Sequence, residues 1–84
     1  GMGDSVFQQM VERWPSALVA RTESARFSGG AISEKYLANL DSQGRGPKCR
    51  VRVGRKVCYP TVELARWLAA RSESIPDRPK ADDE

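Results

Sequence analysis

The stretch Gly44-Arg45-Gly46-Pro47-Lys48-Cys49-Arg50-Val51-Arg52-Val53-Gly54-Arg55-Lys56-Val57-Cys58-Tyr59 decides the reading of this chain. It holds six cations, Arg45, Lys48, Arg50, Arg52, Arg55 and Lys56, and no acid. Apolar residues alternate with them around Gly54, and a period of two broken by a glycine is the pattern of a β-hairpin. The spacing predicts strands over residues 49–53 and 57–59 with a turn at Gly54-Arg55-Lys56. Cys49, Val51 and Val53 then share an inward apolar face, and Arg50 and Arg52 a positive outer one. Residues 43–47, rich in glycine and closed by Pro47, can only be a loop.

Working upstream, Ser33 is placed to cap a helix over residues 33–42, and Glu34 suits the positive end of its dipole. Tyr36, Leu37 and Leu40 repeat at helical spacing and form the expected inward face, leaving Lys35, Ala38, Asn39 and Ser42 outward. Ser28-Gly29-Gly30 ends a shorter helix that starts near Thr22 and runs to about Phe27, with Leu18-Val19-Ala20 leading into it. At the start of the chain, Ser5 with Gln8 reads as a capping box. Phe7, Met10, Val11 and Trp14 then form one helical stripe that Pro15 ends. That stripe either packs on the domain or serves as a dimerisation arm. Packing is the preferred reading, because a large domain face would otherwise stay bare. Downstream, Pro60-Thr61 opens a last helix on which Leu64, Trp67, Leu68 and the stem of Arg71 recur.

These elements predict one small domain over residues 5–71, mainly α, with three to four short helices and a two-stranded β-hairpin wing: a winged helix-turn-helix. Gly1 before Met2 reads as a tag-cleavage scar, with residues 1–4 a disordered start and residues 72–84 a disordered acidic tail. The 84 residues support one compact core and no interior cavity for a large cofactor. The net charge of +3 hides an asymmetry. Residues 1–71 hold twelve Lys/Arg against six Asp/Glu, while residues 72–84 hold two against five. No apolar run approaches the roughly 20 residues that cross a bilayer. With no signal-peptide pattern either, the expectation is a soluble, cytoplasmic protein with no membrane partner.

The two cysteines, Cys49 and Cys58, fall on opposite faces of the expected hairpin and cannot meet disulfide geometry, so both read as free thiols. Without histidine, the chain lacks ligands for a metal site. It also lacks a phosphate loop, a nucleophile elbow and suitably spaced paired carboxylates, which argues against an enzyme, a cofactor or a small-molecule substrate.

Two features point to a polyanion. A short helix, a glycine turn and a capped helix with a small polar outer face suit entry into a major groove, where Asn39 could pair with an adenine edge and Lys35 reach a guanine or a phosphate. The same face also fits plain solvated surface. The hairpin is more specific. One or two cations protect an edge strand from aggregation, but six without an acid repel one another and make sense where phosphates arrive as counter-charge. The expected partner is double-stranded DNA, bound by a dimer or a cooperative array, since one such module reads few base pairs. A protein-interaction adaptor that uses the basic wing on an acidic surface is the alternative. RNA binding is weaker, because the aromatics fall in core patterns.

From Leu18 to Arg71 the chain resembles the small excisionase-like or AlpA-like winged helix-turn-helix proteins, which share a fold with the DNA-binding domains of MerR-type regulators. The resemblance rests on Glu23-x-Ala25-x-Phe27-x-Gly29, Ser33-x-x-Tyr36-Leu37, Gly44, Pro47 and the run from Val51 to Val57. Tyr59-Pro60 and Glu63-Leu64-x-x-Trp67-Leu68 complete it. It implies sequence-specific DNA binding by a small transcriptional regulator or a recombination-directionality accessory. The second motif helix would enter the major groove and the wing would lie along the minor groove or backbone. The DNA-binding set expected from residues and resemblance together is Ser33, Lys35, Asn39, Ser42, Arg45, Lys48, Arg50, Arg52, Arg55 and Lys56. Two departures from the family pattern are a longer turn, Gly29-Gly30-Ala31-Ile32-Ser33, and Ser24 and Ser28 where apolar residues are usual. The stripe of Phe7, Met10, Val11 and Trp14 is the expected compensation.

Overall fold

Leu18-Val19-Ala20 set the architecture by pairing antiparallel with the second hairpin strand: Leu18 lies opposite Pro60, Val19 opposite Tyr59 and Ala20 opposite Cys58. The computed structural model, which describes residues 2–77, begins with α1 (Met2–Arg13), β1 (Leu18–Ala20) and a 3-10 turn (Arg21–Glu23). It continues through α2 (Ser24–Phe27), α3 (Glu34–Ser42), β2 (Val51–Val53), β3 (Lys56–Pro60) and α4 (Thr61–Ala70). The sheet order is β1-β3-β2, so β3 is central. Among the described residues the fold is therefore mixed α/β, with four α-helices and a three-stranded antiparallel sheet, and the expected mainly α fold with a two-stranded wing is corrected. The reason is length: three apolar residues are too few to show a period of two, and they read equally well as the start of a helix.

Helix α1 begins at Met2, so Ser5 lies inside it and not at its cap. The expectations for Gly1 and for residues 78–84 fall outside the described residues; residues 72–77 carry neither helix nor strand and are exposed. The N-terminal stripe packs on the domain, with Phe7, Met10, Val11 and Trp14 against a buried core built around Val19, Phe27, Leu37, Tyr59, Leu64 and Leu68. Trp14 meets Phe27 edge-to-face at 5.3 Å and donates its indole N–H to the Leu18 carbonyl at 2.9 Å, so it ties α1 to both α2 and β1.

The longer turn before α3 is held by specific bonds. Gly29 (φ 66°) and Gly30 send their N–H groups back to Arg26 and Ala25, a Schellman stop that needs the left-handed conformation open to glycine. Ser28 Oγ accepts from Ile32 N at 3.0 Å, so this serine braces the turn. Ser33 caps α3, its Oγ accepting from Tyr36 N at 3.0 Å. At the other end of the domain, Thr61 donates its backbone N–H to Ala17 O and its hydroxyl to Ser16 O, both at 2.8 Å, which pins the start of α4 beside β1.

The hairpin forms, but its faces are the reverse of those expected. Val51 pairs with Cys58, Arg52 with Val57 and Val53 with Lys56, and directly paired residues share a face. Arg52 therefore stands on the face that carries Val57, Tyr59 and Val19, towards the helices. Val51 and Val53 are exposed on the opposite face, Cys49 is exposed, and Cys58 is buried on the central strand. Alternation within an edge strand shows that two faces differ; it does not show which one meets the core. The turn is tighter than expected, Gly54-Arg55 alone, with Gly54 at φ 60°, as a type II′ hairpin requires at its first central residue.

Candidate nucleic-acid interface

Helix α3 and the hairpin are joined by a buried polar cluster. Asp41, its side chain only 4% exposed, accepts from Arg21 Nη2 and from Tyr59 Oη, each at 2.6 Å, through the same Oδ2 oxygen. Arg21 Nε in turn donates to Tyr59 Oη at 2.9 Å, closing a triangle between the 3-10 turn, α3 and β3. Burial pushes the Tyr59 phenol up to about 12, and its bond to Asp41 acts in the same direction while Arg21 opposes it. Burial alone would lower the pKa of the Arg21 guanidinium, but its bonds to Tyr59 and Asp41 outweigh that and raise it. A Cβ at Gly46 would overlap the Asp41 carboxylate, so the loop after α3 needs glycine where it passes this cluster. Gly44 (φ 73°) ends α3 in a second Schellman stop, with Arg45 N bonded to Leu40 O at 2.8 Å.

This brace links the hairpin to α3 by way of the 3-10 turn. Arg52, Arg55 and Lys56 line a shallow groove with Arg21, Thr22, Val57 and Glu34, the first residue of α3. Arg50 stands next to Arg52 on the wing, with its Nη1 3.9 Å from Asp41, a carboxylate that Arg21 already holds more closely. Among the described residues, no carboxylate comes within 4.0 Å of Arg52, Arg55 or Lys56; the ion pairs are Arg21–Asp41, Arg50–Asp41, Arg26–Glu23 and Arg66–Glu63. Like charges left this close repel, and an arriving anion relieves that repulsion.

The expected site residues do not all form one surface. Lys35, Asn39 and Ser42 are exposed on α3, with Ala38 half-buried between them. Ser33 spends its side chain on the cap, and the Ser42 hydroxyl turns back to the Asn39 carbonyl at 2.7 Å, so both act first on the helix itself. Arg45 and Lys48 are exposed on the loop between α3 and β2 and line neither wing groove. Arg45 Nη1 donates to Gln43 Oε1 at 3.3 Å. Tyr36 departs from expectation: it is 45% exposed, and its hydroxyl accepts from Arg71 Nη2 at 3.0 Å. A tyrosine at the edge of a helical stripe can turn its ring outward when a cation is there to meet it.

Sequence reasoning missed Arg21, Thr22 and Glu34 as neighbours of the wing. A signal was available for Arg21. An acid, Asp41, one turn beyond Leu37 on an inward-leaning flank needs a buried donor or cation. Among the described residues, no group of three His, Cys, Asp or Glu side chains is placed to share a metal ion, and no helix is long and apolar enough to cross a membrane. Comparison with known proteins found no matching family model, curated protein or solved structure, so none identifies the chain as excisionase-like or AlpA-like.

Proposed function

We propose that this chain binds double-stranded DNA as a small regulator or recombination accessory of the winged helix-turn-helix kind. In this reading α2, the turn and α3 are the motif, α3 enters the major groove, and the β2–β3 hairpin lies on the adjoining phosphates. One observation carries it: Arg52, Arg55 and Lys56 stand without carboxylate partners among the described residues, beside an α3 whose exposed face is short and polar. That juxtaposition pairs a sequence-independent phosphate grip with a surface fit to read base edges. The resemblance of residues 18–71 to the excisionase-like proteins supports the same assignment. A single module covers few base pairs, so useful specificity calls for a dimer or neighbouring copies on one site. Sedimentation on a duplex with adjacent sites would then give cooperative loading, and strictly independent copies would contradict it.

The deciding experiment is a binding titration on duplex DNA across salt concentrations. With about five phosphate contacts, the log–log slope should be roughly −4 to −5. Arg52→Ala/Arg55→Ala should weaken every duplex alike and flatten the slope by about 2. A wild-type affinity indifferent to salt, or a double variant that binds as wild type, overturns the proposal.

A further inference from the structure

The flank of α3 away from the wing also carries a cation. Arg71, just past the end of α4, lays its guanidinium 4.4 Å from the Trp67 ring centroid and 5.7 Å from that of Tyr36, and donates to the Tyr36 hydroxyl at 3.0 Å. Trp67 is itself fixed by its indole N–H, which donates to the Arg45 carbonyl at 3.3 Å. Among the described residues, no carboxylate lies within 4.0 Å of Arg71. The guanidinium thus sits against two aromatic rings on an exposed residue, and among the described residues its one hydrogen bond, to Tyr36, leaves its other N–H donors without a protein partner.

Its position relative to α3 gives this a meaning. At about 100° per residue, Tyr36 and Glu34 fall on opposite flanks of α3, with Lys35 and Asn39 between them. Glu34 lines the groove with Arg52, Arg55 and Lys56. Tyr36 lines a separate groove with Ile32, Leu68 and Arg71. A helix with its side chains is about 10–12 Å across and fills a major groove of about 12 Å, so its two flanks face the two phosphate backbones that border the groove. Wing cations on one flank and Arg71 on the other would straddle the groove.

We propose that Arg71, preorganised by Trp67 and Tyr36, is a phosphate clamp for the DNA strand opposite the one gripped by the wing. This rests on the DNA-binding reading above and adds a second, separate backbone contact to it. Arginine suits the task, because its planar fork both stacks on the aromatic ring and pairs with phosphate oxygens. A purely structural part is the competing account, since a cation at a helix C-terminus over an aromatic ring stabilises a fold by itself.

Salt dependence separates the two. Arg71→Ala should lose about five- to ten-fold in affinity for a random-sequence duplex at moderate salt and flatten the log–log slope by about one, equally on every duplex. Arg71→Gln keeps the stem over Trp67 and reads the same slope should Arg71→Ala fold poorly. Arg71→Lys keeps the charge, so it should hold the slope while losing part of the affinity. If both charge-removing variants keep the wild-type slope and affinity while Arg52→Ala/Arg55→Ala is weak, the clamp is overturned and the wing reading stands. If the wing variant is silent as well, the DNA reading falls and the clamp with it.

Discussion

The Asp41 carboxylate lies 2.6 Å from the Arg21 guanidinium, and this pair fastens α3 to the turn that follows β1. Asp41 is almost wholly enclosed while Arg21 keeps some contact with water, so removing the acid strands a half-buried cation and leaves the Tyr59 hydroxyl without its acceptor. Losing one partner of such a pair costs about 3 kcal/mol, a large share of the stability of a small domain. Asp41→Ala should therefore lower the urea midpoint strongly. Wild-type stability in that variant would mean that the triangle contributes little.

The Tyr59 phenol gives the same cluster a pH signature. Its pKa rises from the ordinary 10.0 to about 12 in the folded protein. Below pH 10 the phenol keeps its proton folded or unfolded, and the full stabilisation is present. Between pH 10 and 12 the unfolded chain gives up its proton first, so stability falls as pH rises, by about 2–3 kcal/mol at the limit. Tyr59→Phe removes this contribution. Urea melts at a series of alkaline pH values should show a steeper loss for wild type than for Tyr59→Phe, and parallel curves would refute the assignment.

Ser24 makes the opposite case. It is fully buried, and its Oγ has no hydrogen-bond partner among the described residues. Desolvating a hydroxyl without compensation costs about 1–3 kcal/mol, and alanine fills nearly the same space while suiting a helix better. Ser24→Ala should raise thermal stability by about 1 kcal/mol. A lower melting temperature would show that the hydroxyl bonds to something, such as an enclosed water.

The sequence made the local elements legible where a pattern was long or chemically marked: the Ser33 cap, the Gly29 and Gly44 stops, the hairpin at Gly54 and the stripe on α1. What stayed hidden depends on neighbours far along the chain. The three residues of β1 gain an identity only by pairing with β3. The outward side of the hairpin follows from that pairing, because making β3 central directs Tyr59 and Val57 to the core and carries Arg52 to the same side. Charge density singled out the segment proposed as an interface, yet the set expected to face inward, Cys49, Val51 and Val53, came out solvent-exposed. Arg71 read only as the last residue of a helical stripe, and Arg21 had no role, until Asp41, Tyr36 and Trp67 were brought beside them.

Asn39 provides the test that phosphate contacts cannot. It is exposed near the crest of α3, between Lys35 and Ser42, and its amide is free of partners among the described residues. An asparagine in that setting can pair bidentately with an adenine edge, which discriminates bases by about 1–3 kcal/mol. Asn39→Ala should therefore leave binding to random duplexes and its salt slope nearly unchanged, while relaxing preference at one position of a duplex selected from a random pool. Loss of affinity by the same factor on selected and random duplexes would instead mark Asn39 as a backbone contact. It would move sequence reading to Lys35 or to the shape of the DNA itself.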